Sequence, residues 1–148
     1  MQAKEFFNRL AVAIYKIDGA YDRFAKDGKV KPNTMWVFYA LADGKTHTQR
    51  SLCKEWLFPR STLNTIISEC RQAGYVELLQ IEGERRELEI RLTENGKAFS
   101  EKVLAPVYAA ESALYSSYFA GNGEEFIDGL EKFGDEMERQ YSERDGRQ

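Results

Sequence analysis

Residues 59–96 read PRSTLNTIISECRQAGYVELLQIEGERRELEIRLTENG, and this stretch decides the fold. Pro59 suits the first turn of a helix, and the helical pattern runs on to Gly74, the residue type best able to end it. Within it Leu63, Ile66, Ile67 and Cys70 recur at three- and four-residue steps and make one apolar face. The opposite side carries Arg60, Ser61, Thr62, Asn64, Thr65, Ser68 and Arg71, with no acid between Arg60 and Ser68. In a chain with 24 acidic residues an ordinary solvated helix would interleave Glu with Lys, so this gap marks a face suited to an anion. After Gly74 the period changes to two. Residues 75–82 are rich in β-compatible types, and Leu88, Ile90 and Leu92 alternate with Glu87, Glu89 and Arg91. Two strands with Gly83 near their turn make a hairpin.

Working outward, Thr48 is an N-cap for a short helix over 48–57, separated from the next helix by only a few residues. Residues 35–42 are apolar on all sides until Asp43-Gly44 and read as a buried central helix. Before it, Asp27-Gly28 and Lys31-Pro32-Asn33 break the pattern. The chain opens on a helix with Phe6, Phe7, Leu10, Ile14, Ile17, Tyr21 and Phe24 on one stripe. On the far side Thr93 caps a long helix carrying Phe99, Val103, Leu104, Val107, Ala110, Leu114 and Tyr118. Gly121-Asn122-Gly123 ends that helix. A last one aligns Phe126, Leu130, Phe133, Met137 and Tyr141, and residues 142–148 are expected to fray. The expected fold is mainly α with a small β-hairpin (α+β). The order helix, helix, helix, hairpin is a winged helix-turn-helix, whose third helix buries one face and presents the other to a major groove.

Composition narrows the function. The 148 residues suit one unit, with a winged lobe over 33–93 and assembly helices over 1–27 and 94–143. Cys53, Cys70 and the single His47 are too few for a zinc site or a disulfide framework, and no phosphate loop or nucleophile elbow occurs, so no cofactor and no enzymatic activity are expected. The apolar runs are too short to span a bilayer and residues 1–8 lack a signal-peptide core, which predicts a cytoplasmic protein with no membrane partner. A net charge of −3 looks wrong for a DNA binder until its distribution is read. Residues 1–44 carry +2, residues 45–91 carry +1, and residues 111–148 carry −6. The acidity belongs to the tail.

Glu84-Arg85-Arg86, followed after five residues by Leu92-Thr93-Glu94-Asn95-Gly96, resembles the wing signature of the multiple-antibiotic-resistance regulator (MarR) family. Glu84 stands where that family usually has Asp, and Cys70 where it usually has Leu. The resemblance implies a homodimer joined by its terminal helices, binding double-stranded DNA at a palindromic operator as a regulator, most simply a repressor. The apolar stripe on the last helix is compatible with this, because so small a lobe cannot bury it unless it packs on a partner chain or, in an intramolecular bundle, on the first helix. The DNA-facing set is expected to be Thr48, Gln49, Arg60, Ser61, Thr62, Asn64, Thr65 and Ser68, with Arg85 and Arg86 reaching a minor groove or phosphates. Members of that family often bind small aromatic or phenolic effectors, and Trp36, Tyr39, Tyr108 and Tyr115 are the candidates the resemblance implies here, against the plainer reading of aromatics as core. A winged helix that binds protein and not DNA is the alternative. Cys53 and Cys70 read as structural thiols, and His47 as a loop residue that is either solvated or touches a phosphate.

Overall fold

The computed structural model describes residues 1–145. The element order is α1 (Ala3–Asp27), α2 (Pro32–Leu41), α3 (Gln49–Glu55), α4 (Arg60–Gln72), β1 (Val76–Gln80), β2 (Leu88–Leu92), α5 (Glu94–Ser117) and α6 (Gly123–Asp145). Two compact units divide the chain, Met1–Val107 and a second beginning at Tyr108, so α5 contributes to both.

The first unit is built around α2. Its sequence is apolar all round, and Met35, Val37, Phe38, Ala40 and Leu41 are all buried. Pro32, expected in a break, is instead its first residue, where a missing N–H costs nothing and the fixed φ fits. Ala25 from α1, Leu52 from α3, Phe58 from the turn after it, the predicted face of α4 (Leu63, Ile66, Ile67, Cys70), Val76, Ile90 and Leu92 from the hairpin, and Val103, Leu104 and Val107 from α5 complete the core. Burial pushes the Cys70 thiol up to about 11, with Glu69 adding to the effect, so this sulfur is an inert packing group.

Two local devices fix where the hairpin leaves the helices. Gly74 takes φ +75°, and the α4 carbonyls are closed off by Gly74 N–H to Arg71 O at 3.0 Å and Tyr75 N–H to Cys70 O at 2.8 Å. The Thr93 hydroxyl then donates to Gly74 O at 2.6 Å and accepts from Gly96 N–H at 3.0 Å, capping α5 while tying it to that turn. Gly96 is required there, because a Cβ would stand 1.8 Å from Tyr75 O. The Tyr75 and Phe99 rings stack at 4.3 Å beside it.

The hairpin is antiparallel, with Val76 opposite Leu92 and Gln80 opposite Leu88. His47 adds a one-residue bridge to Ile90, whose N–H donates to His47 O at 2.8 Å. The expectation of a loop histidine free in solvent is corrected. His47 is 3% exposed, and its Nε2 lies 2.8 Å from Asp43 Oδ1.

In the second unit no residue from Tyr108 to Arg144 is buried, and Phe119 packs on Phe126 at 5.1 Å near the helix turn. Glu136, bonded by Arg139 and Gln140, is held down to about 2. Residues 142–145 continue α6 where fraying was expected, and 146–148 lie outside the described residues. Phe126, Leu130, Met137 and Tyr141 on α6 are exposed, as are Phe6, Val12, Ile14 and Ile17 on α1. Among the described residues no helix is long and apolar enough to cross a membrane.

Candidate nucleic-acid interface

Three elements of the first unit converge on one groove. The start of α3 is set by a reciprocal cap, in which Thr48 Oγ1 accepts from Ser51 N–H at 3.1 Å and Ser51 Oγ accepts from Thr48 N–H at 2.9 Å. Gln49, Arg50, Cys53 and Lys54 follow on this short helix. The connection to α4 turns through Leu57, at φ +55°, and Pro59 ends it. Pro59 makes no side-chain cap and no acid lies in the first turn of α4, so that helix presents its first N–H groups uncompensated beside Arg60. The third element is the wing. Gly83 at φ +83° and the bond from Glu84 N–H to Ile81 O, 3.1 Å, turn the loop, and Gln80 donates its side-chain amide to the Glu84 carbonyl.

A cavity of about 770 Å³ opens between them, lined by Thr48, Gln49, Arg50, Lys54, Arg60 and Arg86 together with Cys53, Glu87 and apolar residues of the hairpin. Four cations face one carboxylate there. With low-dielectric walls, such a cleft concentrates positive potential and draws polyanions to it.

Of the residues expected to face DNA, Thr48, Gln49, Arg60 and Arg86 line this groove together. Ser61, Asn64, Thr65 and Ser68 are exposed on α4 and Thr62 is half-buried, but none of these lines the groove. Thr62 and Thr65 instead border a smaller depression with Lys31, Asn33 and Glu69. Thr65 also spends its hydroxyl on Ser61 O at 3.1 Å. Arg85 is exposed in the wing loop outside the groove. Cys53, read as structural, is half-buried and faces the groove.

Sequence reasoning missed Arg50, Lys54 and Glu87. The first two were findable, since positions four apart on a helix share a face. Glu87 was not, because its partner Arg50 is 37 residues away in the chain. Among the described residues the signature acid Glu84 forms no ion pair, and the wing carboxylate that bridges to the helices is Glu87, to Arg50 at 3.4 Å. Of the aromatic candidates, Trp36 and Tyr39 join Tyr21 and Trp56 in one cluster, with Tyr21 and Trp36 at 4.6 Å. Tyr108 and Tyr115 belong to the second unit. Among the described residues no set of three His, Cys, Asp or Glu is placed to hold a metal ion.

Residues 29–87 match the model of the MarR family. Solved structures share the fold over most of the chain. A MarR family regulator from Neisseria meningitidis is 25% identical over 93% of this chain and 96% of its own, with a TM-score of 0.73. A putative MarR family transcriptional regulator from Listeria monocytogenes, solved with a 26mer DNA, is 12% identical over 88% and 87%, with a TM-score of 0.71. NadR, solved with 4-hydroxyphenylacetate, is 18% identical over 86% and 88%, with a TM-score of 0.70. No curated protein matches the sequence.

Proposed function

We propose that the chain is a sequence-specific DNA-binding transcriptional regulator of the MarR family, whose model residues 29–87 match, and a repressor acting as a homodimer on a palindromic operator. The observation that carries the reading is the groove in which Arg50, Lys54, Arg60 and Arg86 meet, beside the acid-free exposed side of α4. On this reading α4 enters the major groove, Asn64, Thr65 and Ser68 meet base edges or phosphates, and Arg60 and Thr48 hold the backbone. Arg85 and Arg86 extend the contact from the wing. The Listeria monocytogenes relative, of the same fold, was solved on DNA. The exposed apolar stripes of α1 and α6 are the surfaces a second copy would cover, and a dimer carries two lobes to half-sites about one helical turn apart. Such a protein works in the cytoplasm and performs no catalysis.

Relief by a small aromatic or phenolic effector belongs to the same proposal. NadR holds an aromatic acid, and the Trp36 and Tyr39 cluster supplies ring faces here. A thermal-shift screen in which no small aromatic acid or phenol raises Tm would remove this element.

The deciding experiment is selection of bound sequences from random duplex DNA, followed by titration at two salt concentrations. An enriched palindrome bound by two chains supports the regulator. No enrichment, with weak binding that vanishes in salt, overturns it in favour of a winged helix that binds protein, the reading that the net charge of −3 favours.

A further inference from the structure

We propose that Arg50 is a phosphate-binding residue and that Glu87 holds it in reserve, the pair forming a latch across the groove that duplex DNA opens. The inference rests on the DNA-binding reading above and adds to it two residues with opposed roles.

Arg50 Nη1 lies 3.4 Å from Glu87 Oε1, linking the first turn of α3 to the base of the wing. The Arg50 side chain is 85% exposed and that of Glu87 31%. A charge-assisted bond at its best is 2.7–2.9 Å, so this one is long, and it engages one nitrogen of a guanidinium that offers five N–H donors. An exposed pair of this kind is worth little and opens readily. A phosphate is the better partner for the same group, because its oxygens match the guanidinium fork two at a time. Glu87 is also the one carboxylate among the groove's lining residues, placed with Arg60 and Arg86 where a DNA backbone would run. The other cations of the groove, Lys54, Arg60 and Arg86, form no ion pair among the described residues. Arg50 is therefore the single groove cation whose charge is masked in the free protein. Masking it weakens binding to every duplex, which keeps non-specific attachment low until enough contacts form to displace Glu87.

A double-mutant cycle on the full-length protein tests this, with the selected operator and a random duplex as probes. Glu87→Gln keeps the shape and removes the charge, and is expected to bind both duplexes about two- to fivefold more tightly, in line with the small worth of an exposed pair. Arg50→Ala is expected to bind more weakly and to lower the slope of log affinity against log salt by about one. In the Arg50→Ala background the gain from Glu87→Gln should vanish. If that gain persists at full size, Glu87 acts on phosphates directly and the latch is overturned. An unchanged affinity in Glu87→Gln, with the operator bound normally and Arg60→Ala weakened, overturns the latch alone. A wild-type protein that selects no sequence, and in which Arg60→Ala changes nothing, overturns the DNA-binding reading and the latch together.

Discussion

The imidazole of His47 and the carboxylate of Asp43 meet at 2.8 Å, Nε2 to Oδ1, at the point where α2 gives way to the helix-turn-helix. Asp43 Oδ1 also accepts from Lys45 N–H at 2.8 Å, and His47 Nδ1 is buried with no partner. With Nε2 engaged by the carboxylate, Nδ1 is the ring nitrogen left unsatisfied. The pair thus anchors a buried polar side chain whose own carbonyl holds Ile90 of β2 and whose successor Thr48 caps α3.

Asp43→Ala should therefore destabilise the protein by about 1–2 kcal/mol, because it strands a second nitrogen of a buried ring. The magnitude is kept low because the Asp43 side chain is itself 35% exposed. The pH dependence follows from the carboxyl. Burial pushes its pKa up, but the hydrogen bonds from His47 and from Lys45 N–H outweigh this and hold it below its ordinary value of 3.8. A group lowered on folding stabilises above its unfolded value and loses that contribution as pH falls through its folded one. Denaturant titrations should show the wild-type advantage over Asp43→Ala intact at pH 6 and shrinking below about pH 4. A gap that stays constant to pH 2 would sink the assignment.

Gly96→Ala should be among the most damaging single-methyl changes in the chain. The added Cβ meets a backbone carbonyl, Tyr75 O, at 1.8 Å, and neither Tyr75 nor α5 can yield without breaking the Thr93 bonds to Gly74 and Gly96. We expect a loss of about 2–4 kcal/mol, the upper range for a point change, read as a fall in Tm of several degrees. A Tm within a degree of wild type would mean that α5 and the α4–β1 turn are not locked together.

Leu57 presents the reverse case. It adopts φ +55° and is 75% exposed, so a left-handed backbone is imposed on a residue that gains little burial in return. Leu57→Gly should be neutral or stabilising by up to about 1 kcal/mol, the relief of strain set against the added freedom of the unfolded chain. Clear destabilisation in a denaturant titration would show that the Leu57 side chain is covered in the assembled protein.

Most of the fold was legible in the sequence, because its elements are marked by local chemistry. Thr48 caps α3, Gly74 ends α4, and the alternation from Leu88 to Leu92 coincides with β2. The lining of the groove was only partly legible. Arg60 came from the helical pattern and Arg86 from the resemblance of the wing, whereas Glu87 acquires its place by facing a residue 37 positions earlier. Pairings of that span arise from tertiary packing, and no window of sequence contains both partners. His47 was misjudged for the same cause. Its burial depends on β2 folding back over it, which the neighbouring Asp43-Gly44 turn signal does not encode.

Within the proposed interface, Arg60 and Asn64 should separate by the kind of contact each makes. Arg60 stands at the start of α4 in the groove, the place for a phosphate, so Arg60→Ala should weaken all duplexes alike and lower the salt slope by about one. Asn64 is exposed on the same helix outside the groove, so Asn64→Ala should cost about 1–3 kcal/mol on the selected operator alone, with the slope unchanged. If both variants lose affinity equally on operator and random DNA, α4 does not read bases.

Assembly supplies the last prediction. Phe126, Leu130, Met137 and Tyr141 recur along one face of α6 and all are exposed in the single chain, an arrangement that water disfavours at every position. If a second copy covers that face, a charge placed at its centre must either be buried unpaired or separate the chains. Leu130→Glu combined with Met137→Glu should convert a dimer to a monomer by sedimentation equilibrium, while the far-ultraviolet helix signal remains. The same variant should lose most of its affinity for a full palindrome yet bind an isolated half-site as the wild type does, because the lobe in the first unit is untouched and only the linkage between two lobes is lost. A wild-type chain that sediments as a monomer at micromolar concentration would refute the dimer directly. A variant that still dimerises would place the interface on α1 instead, where Phe6, Val12, Ile14 and Ile17 are equally exposed.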